Sequence, residues 1–397
     1  MHYLNYNEKI LNLQEVTIEK IENKEKTTEI HISKPRKKCN CPKCGKLTDK
    51  IHDYRYQKVS DLSSFGKSVI LIIKKRRYRC VCGKRFIENN DFLAKYQRRT
   101  TRTTVAIINE LSDTKSYKSV AKKYNLSVTT IIRLFEMISY PKPKKLPEVI
   151  GIDEFKGNTG EEKYQCILTD ISNKKIIDIL PTRYQYKLCQ YFKQFSREER
   201  ANVKFFVSDM YKTYAEMAKT YFPNAIYIID KYHWIRQAIW AFENVRKEVQ
   251  KKFSKDYRIY FKHSRKLLLK RQCKLTQDEM QAVNIMLYAS SDLLASYQLK
   301  EMLYEILDTK DEKQRENLFK EWIECASASG ITQFEKCANT YRNWFRPILN
   351  SLIYPFTNGF TEGCNNKIKV LKRNAYGCQS FHRFRNRIMF IFDNPDS

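Results

Sequence analysis

Asp153 lies inside Val149-Ile150-Gly151-Ile152-Asp153-Glu154-Phe155, a stretch apolar enough to be a buried β-strand. An unpaired carboxylate in such a strand is costly, so Asp153 needs a cation or a strong hydrogen-bond donor. Asp209 closes a second apolar run, Val203 to Val207 followed by Ser208, and a neighbouring central strand sets its carboxylate beside that of Asp153. Glu362 opens a helical segment after Asn358-Gly359 and is the third member of the set. Hard oxygen ligands in a shared cleft suit Mg2+ or Mn2+, and a pair of such ions clamps the attacking and leaving oxygens of an in-line phosphoryl transfer. With 44 acidic residues in the chain, many triples exist, and composition alone does not select this one.

The cysteines suggest a second metal chemistry. Of 12, five precede Gly83: Cys39, Cys41, Cys44, Cys80 and Cys82. Cys41-x-x-Cys44 and Cys80-x-Cys82, each followed by glycine, form two knuckles bracketing a hairpin, the arrangement of a closed, structural Zn2+ site. The second knuckle has one intervening residue where two are commoner, and Cys39 stands as an alternative ligand. The other seven are scattered and read as packing thiols in a reduced compartment.

Lys and Arg total 74, giving a formal charge of +30. That excess calls for a polyanionic partner. The longest aliphatic run, Val69 to Ile73, is far too short to span a bilayer, and the first residues lack a secretory pattern. A cytoplasmic, nucleoid-associated protein on double-stranded DNA, away from membranes, is the expectation. Charge concentrates at Lys34, Arg36, Lys37, Lys38, Lys74, Lys75, Arg76, Arg77 and Arg79, read as phosphate contacts, and at His382, Arg383, Arg385 and Arg387, a basic tail also read as touching DNA.

Elements must position these groups. Leu11, Leu13, Val16 and Ile18 alternate as in a strand. From Thr103 to Ile138 three helical stretches follow, with Val105, Ile108 and Leu111 on one face of the first. Ser127 N-caps the last, giving a helix-turn-helix in which Ser127, Thr129, Thr130 and Arg133 face the major groove while Val128, Ile131 and Ile132 pack inward; a plain three-helix bundle is the other reading. Tyr140 to Pro147 carries three prolines and cannot be helical. Beyond it come strands at Glu148–Phe155, Lys163–Asp170 and Lys175–Leu180, the first two joined by a turn at Gly157-Asn158-Thr159-Gly160. Alternating helix and strand then run to Asp230, an α/β pattern. A helical stretch to Arg346 follows, and a helix over Thr361–Tyr376. Trp234, Trp240, Trp322 and Trp344 read as core in preference to base-stacking platforms.

Gly151-Ile152-Asp153-Glu154-Phe155, Ser208-Asp209-Met210-Tyr211, Asp230-Lys231-Tyr232-His233 and Asn358-Gly359-Phe360-Thr361-Glu362-Gly363-Cys364-Asn365-Asn366-Lys367-Ile368-Lys369 resemble DDE transposases of bacterial insertion sequences, with the ISL-three group the nearest likeness. The resemblance spans nearly the whole chain. It implies an α/β RNase H-like catalytic core with a large all-α insertion, preceded by a small zinc-binding module and a helix-turn-helix. Asp153, Asp209 and Glu362 would then hold two Mg2+ or Mn2+ per active site, activating water and then a DNA 3′-hydroxyl. The Asp-x-x-His element makes Asp230, His233 and Arg236 supporting candidates, although a lone His near aromatics is as often structural. Asn365 and Asn366 would orient the carboxylate or the DNA, and Lys369, Lys372 and Arg373 would guide the phosphate backbone. Cys-x-Cys departs from the family's usual spacing.

The expected organisation is a zinc-binding module over 1–92, a helix-turn-helix over 93–140, a Pro/Lys linker over 141–147, the core over 148–245 and 351–397, and a helical insertion over 246–350. The function implied is binding of terminal inverted repeats, cleavage at element ends and transfer of 3′-OH ends to target DNA, by a homodimer or higher oligomer. The rivals are a DNA-binding regulator with a non-catalytic core and a metal-dependent nuclease without strand transfer. If the basic surface is the DNA footprint, affinity measured by anisotropy falls by a factor of about 1,000 or more between roughly 50 and 200 mM salt; a flat response removes that assignment.

Overall fold

The computed structural model describes residues 11–394 except 14, 158, 160, 161, 259, 260, 262, 263 and 376–378. Asn158 and Gly160 of the predicted turn, and Tyr376 at the end of the predicted Thr361 helix, therefore lie outside the described residues. The chain forms two compact units, Met1–Ser139 with Asp393–Ser397, and Tyr140–Phe392.

In the first unit, β1 (Thr17–Asn23), β2 (Thr27–Ser33), β5 (Ile51–Ser64) and β6 (Lys67–Arg79) form a sheet in the order β1-β2-β6-β5, while β3 (Cys39–Asn40) pairs with β4 (Leu47–Thr48) and β7 (Arg85–Ile87) extends β6. Alternate residues Val69, Leu71 and Ile73 of β6 meet Val59, Ile18 and Ile32 in one small core, as the period of two requires. Leu11 and Val16 join that core, but the strand begins only at Thr17. Because β6 is an interior strand, several of its cations are already engaged. Arg76 donates to the backbone oxygen of Lys34 and pairs with Glu88, and Arg77 pairs with Asp53. These two are sheet ties, which corrects their reading as free phosphate contacts.

Helices α1 (Thr101–Asn109), α2 (Tyr117–Lys123) and α3 (Val128–Phe135) follow. Each starts at a hydroxyl cap: Thr100, Ser116 and Ser127 accept from the amides of Thr103, Ser119 and Thr130. Asn125 bends the α2–α3 turn through φ +51°. Two inward assignments change. The buried stripe of α1 is Thr103 and Ile107, continued by Leu111, leaving Val105 exposed, because a two-residue step turns a helix by about 200°. In α3 the core is met by Ile131, Leu134 and Phe135, leaving Val128, in the first turn, exposed.

The second unit is built on a five-stranded sheet in the order β10-β9-β8-β11-β12. The strands β8 (Val149–Phe155), β9 (Gln165–Asp170) and β10 (Lys175–Leu180) form an antiparallel meander, and β11 (Phe205–Ser208) and β12 (Ile226–Ile229) run parallel to β8. The central strand β8 is apolar on both faces because both are covered. One face, with Ile150, Ile152, Cys166 and Leu168, packs on α4 (Gln185–Lys193) and α6 (Lys212–Tyr221); a short α5 (Arg197–Ala201) intervenes. The other face, with Phe155, Ile167 and Ile179, packs on α15 (Gly359–Asn374) and α16 (Phe381–Asp393). Between β12 and α15 the chain is helical: α7 (Lys231–Lys252), α8 (Lys255–Arg258), α9 (Ser264–Leu269), α10 (Gln277–Tyr288), α11 (Ser291–Asp308), α12 (Glu312–Ala328), α13 (Thr332–Asn343) and α14 (Phe345–Ile353), around Trp234, Phe319, Trp322 and Tyr341. The predicted edge of the insertion at 246 falls within α7. Among the described residues no helix is long and apolar enough to cross a membrane.

The tail holds a further correction. Arg385 and Arg387 lie in α16 and are buried, so neither is a surface DNA contact. Arg385 Nε donates at 2.6 Å to Asp178 Oδ1, and Arg385 also donates to the backbone oxygen of Tyr140 at 2.8 Å. Tyr191 donates its hydroxyl to Asp178 Oδ2 at 3.0 Å. One buried carboxylate thus ties β10 to α4 and α16. Removing one partner of such a pair strands the other, so Asp178→Ala is expected to cost about 3–5 kcal/mol in a denaturant titration. A loss below about 1 kcal/mol, the scale of a surface pair, would show that the pair is not structural.

Candidate active site and metal centres

The β-ladder sets the site. In the parallel pairing of β8 and β11, Gly151 stands opposite Val207, so Asp153 and Asp209 both lie two residues further along. Their proximity registers electrostatically: burial first, and then the charge of Asp209, push the Asp153 carboxyl up to about 7. The Asp153 Oδ1 accepts from the amide of Glu154 and its Oδ2 from Asn365 Nδ2, each at 2.7 Å. Asn365 therefore reaches across from α15 to the central strand, while neighbouring Asn366 is exposed.

Glu362 arrives on the first turn of α15. The helix approaches β8 closely enough that a Cβ on Gly151 would meet Thr169 Oγ1 at 2.5 Å, Thr361 Oγ1 at 2.9 Å and Asn358 Oδ1 at 3.0 Å. Thr169 and Thr361 share a hydroxyl contact at 2.7 Å, and Asn358 donates to the backbone oxygen of Ile152 at 3.1 Å. Sequence reading missed this seam. Its available signal was a glycine inside an apolar strand, which marks a close backbone approach.

His233 stands among the acids. Its Nε2 is 2.9 Å from Asp209 Oδ1 and 3.4 Å from Glu362 Oε1. The close contact with Asp209 leads in raising its pKa to about 9, against burial and with the charges of Asp209, Asp230 and Glu362 assisting. Asp230, His233 and Glu362 offer ligand atoms within 4.8 Å of one another. Asp230, however, is buried and committed: it caps α7 by accepting from the Tyr232 amide at 2.9 Å and accepts from the Asn358 amide at 2.5 Å. The other carboxylates of the site are Asp209 and Glu362, which meet His233, and Asp153, each of whose oxygens also accepts one hydrogen bond. Carboxylate oxygens of Asp209 and Glu362 stand within 3.4 Å of one imidazole nitrogen, and hard donors of this kind fit a divalent ion.

Arg236 is placed elsewhere, over the rings of Trp240 and Tyr232 at 4.0 and 5.5 Å. Lys369 and Arg373 are exposed on α15, and Lys372 donates to the backbone oxygen of Lys156 at 2.6 Å. Glu154, beside Asp153, accepts from Arg183 at 2.7 Å and from Tyr214 at 2.9 Å, a bracing pair that sequence reading also missed. In the helix-turn-helix, Ser127, Thr129 and Arg133 are exposed and Thr130 is half-buried.

In the first unit the Sγ atoms of Cys41, Cys44, Cys80 and Cys82 lie within 4.8 Å of one another, with Cys41–Cys82 at 3.6 Å and Cys44–Cys80 at 3.5 Å. Tetrahedral zinc at about 2.3 Å from sulfur sets neighbouring sulfurs about 3.8 Å apart, so the four thiols fit. Gly45 and Gly83 take φ +69° and +82°, which closes each knuckle at little steric cost. Cys39 instead points its thiol at the backbone oxygen of Lys37, 3.7 Å away.

With this geometry in view, comparison with known proteins is decisive. Residues 150–388 match the DDE family profile described as "Transposase". Residues 37–82 match the zinc-finger of transposase IS204/IS1001/IS1096/IS1165, and residues 88–139 the helix-turn-helix domain of transposase family ISL3. The protein is thus of the class that cleaves and transfers DNA, with zinc ribbon, helix-turn-helix and DDE transposase domain in that order. It belongs to the ISL3 transposase family. The transposase for insertion sequence element IS1001 of Bordetella parapertussis is 26% identical over 376 residues, 92% of either chain. The transposase for IS1557 of Mycobacterium tuberculosis (strain H37Rv) is 23% identical over 58% of this chain and 57% of its own. A Lactococcus lactis subsp. lactis protein named an ATP-dependent protease is 33% identical over 117 residues, 29% of this chain and 36% of its own.

The zinc assignment is tested by metal content. Cys80→Ser is expected to lower zinc from about one ion per chain to none and to expose the first unit to protease, as loss of a structural zinc does, whereas Cys39→Ser leaves zinc unchanged. Zinc retained by the first variant or lost by the second contradicts the set.

Proposed function

We propose that the chain is the transposase of an insertion sequence that binds terminal inverted repeats, cuts phosphodiesters at the element ends and joins the freed 3′-hydroxyls to target DNA. Residues 148–245 and 351–397 form an RNase H-like core carrying Asp153, Asp209 and Glu362, with 246–350 its insertion. Residues 1–92 are the zinc module, closed by Cys41, Cys44, Cys80 and Cys82, 93–140 read DNA and 141–147 link the two. The observation carrying this reading is His233 Nε2, 2.9 Å from Asp209 and 3.4 Å from Glu362. It draws together acids from elements far apart in sequence, beside the third acid, Asp153.

Two Mg2+ or Mn2+ ions, when bound, supply the Lewis-acid chemistry that makes water and then a 3′-hydroxyl nucleophilic and stabilises the leaving oxygen. The protein's part is positional. Asn365 holds one oxygen of Asp153 and the Glu154 amide holds the other, which fixes the orientation of the carboxylate. Asp230 fixes both the N-terminus of α7 and the start of α15, so His233 and Glu362 keep one relation to each other. Lys369 and Arg373 stand on the outer side of the acid-bearing helix, where they steer a phosphate backbone inward. Ser127, Thr129, Thr130 and Arg133 contact the major groove. Paired ends call for a dimer or higher assembly with two-fold symmetry.

Asp153→Asn and Glu362→Gln are each expected to bind element-end DNA within about twofold of the unmodified chain and to lose cleavage by a factor of about 100 or more with magnesium, on the scale of removing one stabilising group in a preorganised site. Cleavage that survives either change removes the catalytic assignment. An unmodified chain that binds but never cuts is a regulator, and one that cuts without joined products is a nuclease.

A further inference from the structure

We propose that Tyr232, Arg236 and Trp240, on the exposed face of α7, form a stacking site for an unpaired DNA base next to the acids. The inference rests on the reading of Asp209 and Glu362 as the place where a phosphodiester is handled, and adds a feature which that reading does not need.

The argument begins with how α7 divides its surface. Trp234, Ala238, Ala241, Phe242 and Val245 are buried in the helical core. Tyr232, Arg236 and Trp240 recur every four residues on another face, one above the next. Tyr232 is 55% exposed and Trp240 54%. Trp234 and Trp322 are fully buried and Trp344 is partly buried against the same core, whereas Trp240 is exposed, which corrects its reading as core.

The face is also organised. The Arg236 guanidinium lies 4.0 Å from the Trp240 ring centre and 5.5 Å from that of Tyr232, joining the rings into a ladder. No carboxylate forms an ion pair with Arg236 among the described residues, and its charge is free to meet a phosphate. The ladder starts at the active site: the Tyr232 ring stands edge-on to His233 at 5.7 Å, and His233 Nε2 is 2.9 Å from Asp209.

Flat aromatic rings interleaved with a cation recognise a nucleobase by its π-face and the adjoining phosphate by charge. A second copy of a chain with formal charge +30 is repelled by the same arginine, whereas a polyanion is attracted. A base within a duplex has its faces covered by its neighbours, so the occupant is an unpaired base, at a frayed or single-stranded end.

The test is binding of two DNA probes to the full-length, zinc-loaded protein without added magnesium. One is a fully paired element end taken from the sequence flanking the gene, and the other is the same end with a short single-stranded 3′ tail carrying 2-aminopurine. The tailed end is expected to bind about 5- to 100-fold tighter, the scale of one stacked base, and its 2-aminopurine signal to respond to Trp240. Trp240→Ala abolishes the preference while binding the paired end within about twofold, and Trp240→Phe retains most of it. If Trp240→Ala does not fold, Trp240→Phe and the wild-type 2-aminopurine response carry the decision. An unmodified chain indifferent to the tail, or a Trp240→Ala chain that keeps the preference, overturns the proposal. Because binding is read without catalysis, cleavage by Asp153→Asn would defeat the active-site reading separately.

Discussion

Everything at the candidate active site depends on how closely α15 lies against β8. Glu362 is remote in sequence from both aspartates, and it comes within 3.4 Å of the histidine that meets Asp209 because its helix settles onto the central strand at a position with no side chain. Gly151 leaves that room, and Thr169, Thr361 and Asn358 fill it with polar atoms. The seam is itself buried: its two hydroxyls bond each other and Asn358 Nδ2 bonds the strand's backbone, while Asn358 Oδ1 has no hydrogen-bond partner among the described residues. A larger residue at 151 displaces the helix, and with it both the glutamate and the asparagine that holds Asp153. Backbone proximity comes first, and the acid cluster follows from it.

That cluster runs against the rest of the molecule. A chain with formal charge +30 concentrates negative charge at one point on the second unit, where burial magnifies repulsion. The protein's own answer is His233, held by the carboxylates that raise its affinity for a proton. Cation demand at the acids and cation excess over the surface act on the same substrate. In the function proposed above, the surface draws the phosphate backbone in and the acids meet the phosphate that is to be cut. Elsewhere, positive charge is structural. Arg385 is spent on Asp178 inside the fold, and Arg76 on Glu88 and the chain beside it, so net charge overstates the footprint available to DNA.

Much of this was legible in sequence where local chemistry leaves few alternatives. An acid in an apolar strand, a serine before a helical stripe and paired cysteines before glycines each point to one arrangement, and Asp153, Ser127 and the four knuckle thiols stand accordingly in the structure. What escaped depends on partners distant along the chain. Arg385 and Asp178 are 207 positions apart, and Asn358 and Asp230 are 128 apart. A basic tail resembles solvent-facing charge until its partner is seen, and an Asn-Gly pair resembles an ordinary turn. Val105 and Val128 erred for a subtler reason: short helices of eight or nine residues carry too few turns for hydrophobic spacing to select one face.

The helical insertion is better understood as a brace than as an appendage. At 22 residues, α7 is a rod about 33 Å long, with His233 in its first turn and the insertion's core around its middle. Trp234 Nε1 donates to Ser351 at 3.1 Å, Tyr341 donates its hydroxyl to the backbone oxygen of Trp234, and Asn350 of α14 donates to the backbone oxygen of Tyr227 on β12 at 2.9 Å. The segment just before the last acid is thereby fastened to the helix carrying the histidine and to the edge strand of the sheet. Displacing the insertion would rotate α7, and the residue moved first would be His233, adjacent to the buried and tightly packed Trp234. A long excursion of chain between Asp209 and Glu362 is compatible with a site only ångströms across because both ends of the excursion are pinned to the same helix.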